Sequence, residues 1–193
     1  SIIFSYVSWD VIDNIKTGNF SNFLTKPLDY YMYWFTINLS GKMLESIFII
    51  ITAGIISFFV SDYISFPEHL STQLYFLAAV ILGIILAFEL DFCIGMITFW
   101  LTQVRTFKYM LQTMILFFAG AMLPLDLFPP VLTKAAEFLP FRYLVYFPIS
   151  IYLGKIENPL PSFGILIIWI LVFFGLSRVL MSRGIKRYEA VGA

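Results

Sequence analysis

The sequence contains few charged residues. Only 12% of its 193 residues are Asp, Glu, Lys or Arg, whereas 60% are hydrophobic and 19% are aromatic. A soluble domain has about 25% charged residues, so this chain cannot cover a surface that faces water. Disorder is excluded as well, because so apolar a chain collapses. The composition predicts an integral membrane protein that contacts the lipid bilayer.

An excess of basic charge is also missing. Twelve basic residues balance twelve acidic ones, and no basic cluster offers the phosphate contacts that a nucleic acid would need. The single cysteine, Cys93, excludes an internal disulfide, and the single histidine, His69, excludes a pair of histidine ligands. We therefore expect no nucleic-acid partner and no metal site. Because the chain starts at Ser1, we expect it to be a fragment that lacks its N-terminal part.

Motifs for nucleotide hydrolysis are missing too. The pairs Gly41-Lys42 and Gly154-Lys155 lack both the first glycine of a Walker A motif and the Ser or Thr after the lysine. We expect this chain to bind no cofactor and to have no enzymatic activity. An intramembrane enzyme that acts through Asp126 or His69 is an alternative, although neither residue has a suitable catalytic partner nearby in the sequence.

Four apolar stretches have about the length needed for a membrane-spanning helix, which is roughly 20 residues. They lie near residues 33–60, 73–101, 104–123 and 163–181. Strand-like alternation is absent from them. The predicted fold is an all-α polytopic helix bundle that forms one transmembrane domain over residues 1–193.

The basic residues predict the orientation of this bundle. Cytoplasmic segments of membrane proteins are enriched in Lys and Arg. The turn 102–108 carries basic residues without an acidic one, and the tail after Met181 carries three basic residues. We therefore expect the C-terminus to be cytoplasmic and the region 124–161 to lie outside.

Residues 10–18 have the pattern of a short amphipathic helix. Asp10 is placed to cap its start, and Gly18 suits its end. On the cytoplasmic side such a helix serves either to dock a soluble partner or to lie on lipid headgroups. The candidate docking residues are Asp10, Val11, Ile12, Asp13, Ile15 and Lys16.

The region 124–161 contains seven of the nine prolines and many aromatic residues. Proline leaves a backbone carbonyl without its hydrogen bond, and such an unpaired group is not tolerated in contact with lipid. We expect short re-entrant or interfacial helices near 131–139 and 141–153, with a plain external loop as the alternative. The residues that mark the start of this region are Pro124, Asp126, Pro129 and Pro130.

Polar residues interrupt two of the apolar stretches. They are Asn38, Lys42, Glu45, Glu89 and Asp91. A charge at the bilayer centre costs about 2.5–3.5 kcal/mol, so such groups face the bundle interior, pair, or reach for the interface. They indicate either a translocation path or polar contacts between helices, and Lys42 and Glu45 are spaced to pair with each other.

Three segments together resemble the permease subunits of type-2 ABC transporters, in the subfamily of small single-domain permeases. They are GNFSNFLTKPL at 18–28, GAMLPLDLFP at 120–129 and RGIKRYEAVG at 183–192. Such permeases have six spans, so the resemblance implies that two precede Ser1. Residues 10–18 would match the coupling helix that rests on the ATPase, and residues 124–155 would match the re-entrant helices.

The resemblance also implies a function and partners. In the transporters that this chain resembles, a homo- or heterodimer of permeases exports an amphipathic, drug-like or lipid-linked compound across the cytoplasmic membrane. Separate ATP-binding subunits would use the ATP and magnesium. The alternative is a self-sufficient channel or an ion-coupled secondary transporter that uses Glu89 and Asp91.

Overall fold

The computed structural model describes residues 3–59 and 69–192, with side chains described up to residue 188. Every regular element within these ranges is a helix, which confirms the predicted all-α fold. The α-helices are α1 (Val7–Lys16), α2 (Ser21–Leu24), α3 (Tyr30–Phe59), α4 (Leu70–Met96), α5 (Val104–Phe118), α6 (Pro130–Phe138), α7 (Tyr146–Tyr152) and α8 (Leu160–Gly192). Short 3-10 helices cover Ile97–Phe99, Leu125–Leu127 and Pro140–Leu144.

Three of these helices are long and apolar enough to cross a membrane. They are α3, α4 with its 3-10 extension (Leu70–Phe99), and α8 as far as Tyr188. They overlap the predicted stretches 33–60, 73–101 and 163–181. The last residue of the first stretch lies outside the described residues.

The fourth predicted stretch, 104–123, is helical only over α5, a length of 15 residues or about 22 Å. Gly120 ends this helix with a φ of +78°, a conformation that only glycine adopts without strain. The Ala121 N–H then donates to the Leu116 carbonyl at 3.1 Å, which closes a Schellman-type turn. The chain therefore turns before the length of a full span is reached.

The central element of the bundle is α4. In its most apolar 18 residues, 61% are buried, against 6% in α3 and 11% in α8. A helix that is apolar on all sides belongs in an interior, and α4 contacts α1, α7 and α8. By contrast, α3 buries mainly its first turns, and its apolar side chains from Met43 to Phe59 are largely exposed.

The proline-rich region is largely helical, and its second half is packed into the bundle. Helices α6 and α7 confirm the two short helices predicted near 131–139 and 141–153. Phe147 and Ile151 of α7 are buried in a core that includes Leu86 of α4 and Leu166 of α8. Pro140 and Pro148 are buried, whereas Pro124, Pro129 and Pro130 are exposed. The choice between re-entrant helices and an external position therefore stays a prediction.

Contacts between distant segments define two ends of the bundle. At one end, Lys16 donates to the Thr102 carbonyl at 2.8 Å, and the Tyr188 hydroxyl donates to the Gly18 carbonyl at 3.1 Å. At the other end, Phe76 packs against Tyr152, with ring centres 5.4 Å apart. The three segments that we predicted to be cytoplasmic therefore share one end, called the α1 end below.

Candidate functional site

The amphipathic helix α1 lies against the bundle with its apolar side inward. Val11 and Ile12 are fully buried, and Ile15 is 8% exposed. The close approach to α4 depends on Gly95, because a Cβ atom there would lie 2.8 Å from Cγ1 of Val11. These three apolar side chains, which we expected at a docking surface, are thus covered by this chain's own helices.

The polar candidates on α1 are exposed. Asp13 pairs with Arg105 at the start of α5, and Lys16 binds the Thr102 carbonyl. Asp10 is exposed and lies in the first turn of α1. Docking of a partner at α1 therefore stays a prediction, but the groups available for it are Asp10, Asp13 and Lys16.

The start of α1 differs from the sequence prediction. The helix begins at Val7 rather than near Asp10, and the Val7 N–H donates to the Ser5 hydroxyl at 3.4 Å. The backbone N–H of Ser8 in the first turn donates to Asp91 of α4 at 2.8 Å. Asp10 was therefore wrong as the cap, because the Ser5 hydroxyl and a carboxylate from another helix satisfy this end. The predicted end is close to correct, since Gly18 has a φ of +80° just after the helix.

A buried charge cluster fastens α1 to α4 and α5. The Asp91 carboxylate accepts from both the N–H and the hydroxyl of Ser8, and Lys108 Nζ lies 3.5 Å from it. Lys108 also donates to the Ser8 hydroxyl and lies 4.1 Å from the centre of the Trp9 ring. Only 1% of the Lys108 side chain and 10% of that of Asp91 are exposed. The pair can hold three helices together because each charge is compensated inside the bundle.

Glu89 lies in a different environment from Asp91. It accepts a hydrogen bond from the Tyr31 hydroxyl of α3 and is 1% exposed. Two residues along a helix point about 200° apart, so the two carboxylates lie on nearly opposite sides of α4. The structure does not bring these two carboxylates together. An ion cannot pass directly from one carboxylate to the other in this arrangement.

Tyr31 also joins Glu89 to an ion pair at the α1 end. The Arg178 guanidinium of α8 lies 4.6 Å from the Tyr31 ring centre and donates to Asp29 at 2.8 Å. Burial raises the pKa of Asp29, but the hydrogen bond and the charge of Arg178, together with hydrogen bonds from the backbone, outweigh burial and hold that pKa below its usual value. The start of α3 is thus attached to both α4 and α8.

The polar stripe on α3 is present as predicted from its spacing. Lys42 Nζ pairs with Glu45 at 2.9 Å, which confirms the expected pair. Asn38 and Lys42 are buried, whereas Glu45 is about half exposed. Tyr31 precedes Asn38 by seven residues and so lies on the same face. Whether this stripe lines a path or packs against a helix stays a prediction.

The four residues at the start of the proline-rich region have structural contacts. Pro124 precedes a 3-10 helix, and Pro129 and Pro130 start α6, where proline suits the first turn. Asp126 accepts from Lys155 and from the Tyr146 hydroxyl, and these bonds, in that order, hold the pKa of Asp126 below its usual value. Asp126 is exposed and paired, which fits a structural role.

Sequence reasoning missed several residues of this site. Ser8, Lys108 and Tyr31 were not candidates, although each contacts a buried carboxylate. A signal existed only for Lys108, which is a charge inside a predicted apolar stretch. Ser8 and Tyr31 resemble ordinary interfacial residues until the packing is known.

The fold and this site define a polytopic α-helical membrane protein with a short amphipathic helix fastened across one end. Residues 1–192 match the family model described as ABC-2 family transporter protein. The chain belongs to this family. It is therefore a membrane permease component of an ABC transporter, a class that is not itself catalytic and assembles with ATP-binding subunits. Comparisons with curated proteins and with solved structures gave no match.

Proposed function

We propose that this chain is the permease of an exporter that moves an amphipathic, drug-like or lipid-linked substrate out across the cytoplasmic membrane. ATP and magnesium are used by the separate ATP-binding subunits, and this chain binds no cofactor. Two permease copies, identical or related, form the pathway. The α1 end, including the C-terminus, faces the cytoplasm, in agreement with its basic residues.

One observation supports coupling through α1 more than any other. The helix presents exposed polar groups on its outer side, while its inner side is bound to α4 and α5 through Asp91 and Lys108. Packed helices and buried polar networks transmit displacement as units. A push by an ATP-binding subunit on α1 would therefore reach α4 and α5 directly.

The docking role is tested by reversing the charge of Asp10, which is exposed and forms no salt bridge among the described residues. Asp10→Arg should reduce co-purification of the ATP-binding subunit and ATP-dependent transport while the permease still folds. The physical reason is that reversing a charge at an interface removes electrostatic complementarity. The measurement is the amount of ATPase subunit recovered with the tagged permease.

The matched control is Glu157→Arg, an exposed carboxylate between α7 and α8 on the other side of the bundle. It should leave co-purification unchanged. Normal co-purification and transport in the Asp10 variant would argue that the ATPase binds elsewhere.

A further inference from the structure

A pocket of about 440 Å³ opens at the α1 end, beside the last turn of α1. Its walls come from α1, from the turn after α4 and from the end of α8. The residues important for its chemistry are Lys16, Thr98, Thr102, Arg187 and Tyr188. The pocket is separate from the buried Asp91 and Lys108 pair.

The walls of this pocket are held in place by hydrogen bonds across the fold. Lys16 Nζ donates to the Thr102 carbonyl at 2.8 Å, which positions its charge at the pocket. The Tyr188 hydroxyl donates to the Gly18 carbonyl at 3.1 Å and fixes α8 against the turn after α1. The shape of the pocket therefore depends on contacts between distant segments of the chain rather than on one mobile side chain.

The charge in this pocket is not balanced by the protein. Lys16 and Arg187 line it, no acidic side chain does, and neither cation has a salt bridge within the described part of the chain. Thr98 is 9% exposed, and its hydroxyl has no hydrogen-bond partner among the residues described. Arginine and lysine side chains are typical phosphate-binding groups.

An apolar groove of about 230 Å³ lies between α4, α5 and α8. All of its lining side chains are apolar, among them Cys93, Ile97, Met114, Phe173, Leu176 and Leu180. Leu180 and Arg187 are separated by seven residues, so they share one face of α8. In the 3-10 helix that follows α4, Ile97 of the groove immediately precedes Thr98 of the pocket. The apolar groove and the basic pocket are therefore neighbours, both along α8 and along this 3-10 helix.

We propose that pocket and groove together bind one anionic phospholipid. Its phosphate lies between Lys16 and Arg187, and an acyl chain lies in the groove. A lipid fits better than a soluble anion because the shared face of α8 carries both the cation and the apolar surface. The inference goes beyond the proposed export function and rests on it only for the cytoplasmic orientation, where anionic lipids attract basic side chains.

The test uses the complex of permease and ATP-binding subunit in nanodiscs of phosphatidylcholine with a minor fraction of phosphatidylglycerol. After release into detergent, native mass spectrometry measures how much phosphatidylglycerol each complex retains. The unchanged protein should retain it in preference to phosphatidylcholine. Arg187→Gln and Lys16→Gln should each lower this retention about tenfold, the effect expected for losing one charge-assisted hydrogen bond.

The control is Lys26→Gln, an exposed lysine at the same end that lines a different pocket. It lowers the local basic charge equally and should leave phosphatidylglycerol retention unchanged. A competition experiment tests the same site without any variant. Soluble glycerol phosphate lacks an acyl chain, so it should displace the lipid poorly.

Three results would overturn the proposal. The first is equal retention in the Arg187, Lys16 and Lys26 variants, which would mean only general attraction to anionic lipid. The second is displacement by glycerol phosphate as efficiently as by phosphatidylglycerol, which would identify a soluble-anion site. The third is loss of the ATP-binding subunit with lipid retention unchanged, which would assign the pocket to a partner carboxylate. Because subunit association is measured in the same sample, failure of the proposed function is distinguishable from failure of this inference.

Discussion

At the scale of single residues, the Asp91 and Lys108 pair is the most sensitive point of the structure. Both groups are buried, and each compensates the charge of the other. Removing one partner leaves a buried charge unpaired, which costs far more than losing an exposed pair. Few other positions in the described chain combine charge, burial and contacts to three helices in this way.

Asp91→Asn should lower the stability of the protein by about 3–5 kcal/mol, because it leaves the Lys108 ammonium without a counter-charge. The double variant Asp91→Leu with Lys108→Met should recover much of this loss, since apolar side chains of similar size can replace a buried pair. The measurement is thermal unfolding of the purified protein in detergent.

The matched control for this prediction is Asp13→Asn, which breaks the exposed pair between Asp13 and Arg105. Its effect should be no more than about 1 kcal/mol. Similar losses in the two single variants would contradict the importance assigned to the buried pair.

Single residues also mark the limit of sequence reasoning. The pairing of Lys42 with Glu45 was predictable because both lie three positions apart on one helix. The partners of Asp91 were not, because Ser8 lies 83 residues away in the chain. Local spacing determines contacts within a helix, whereas contacts between helices depend on how the helices pack.

At the scale of elements, the contact between α1 and α4 depends on the absence of a side chain at one position. The ideal Cβ at Gly95 would meet the Val11 side chain at 2.8–3.0 Å and the Ser8 backbone at 3.3 Å. A larger residue must therefore push the two helices apart. The same movement would strain the Ser8 contact with Asp91.

Gly95→Val should lower stability by about 1–3 kcal/mol, the usual cost of overpacking, and should weaken the attachment of α1. The test compares its unfolding temperature with that of Gly175→Val, in which a valine replaces a glycine of α8 that has open space around it. The two valine variants lose the same backbone flexibility, so their difference measures the clash at α1. If both unfold at the same temperature, the close approach at Gly95 does not limit the packing of α1.

The elements themselves were largely predictable, but their boundaries and exposure were not. The apolar stretches and the two short proline-region helices were found from hydropathy and from proline positions. The start of α1 at Val7 was missed because its first N–H groups are satisfied by the Ser5 hydroxyl and by a carboxylate of α4 rather than by Asp10. The apolar side of α1 was expected to meet a partner, yet α4 covers it.

At the scale of the whole molecule, the two ends of the bundle have different chemistry. The α1 end carries the turn 102–105 and the end of α8, whereas the opposite end carries α7 and the start of α4. The long apolar surface of α3 between them is largely exposed. Such a surface suits contact with lipid acyl chains or other membrane helices.

Cysteine labelling in intact cells tests the proposed orientation of these two ends. The single native cysteine, Cys93, is buried and should not react with a membrane-impermeant maleimide. Glu157→Cys should react from outside, whereas Ser182→Cys in the last third of α8 should react only after the membrane is permeabilised. The opposite labelling of these two exposed positions would reverse the proposed topology.

The sequence by itself determined the membrane class, the all-α fold, the segments that form long helices and the resemblance to a transporter family. The first three depend on composition and on periodicity along the chain, and the resemblance depends on three short segments. All of these are local properties. Only the tertiary structure decided that the apolar side of α1 is buried, that Glu89 and Asp91 are separated, and that Lys108 lies beside Asp91. The physical reason is that a buried charge takes its partner from whichever helix packs nearest, and that neighbour is set by the assembly of the whole bundle.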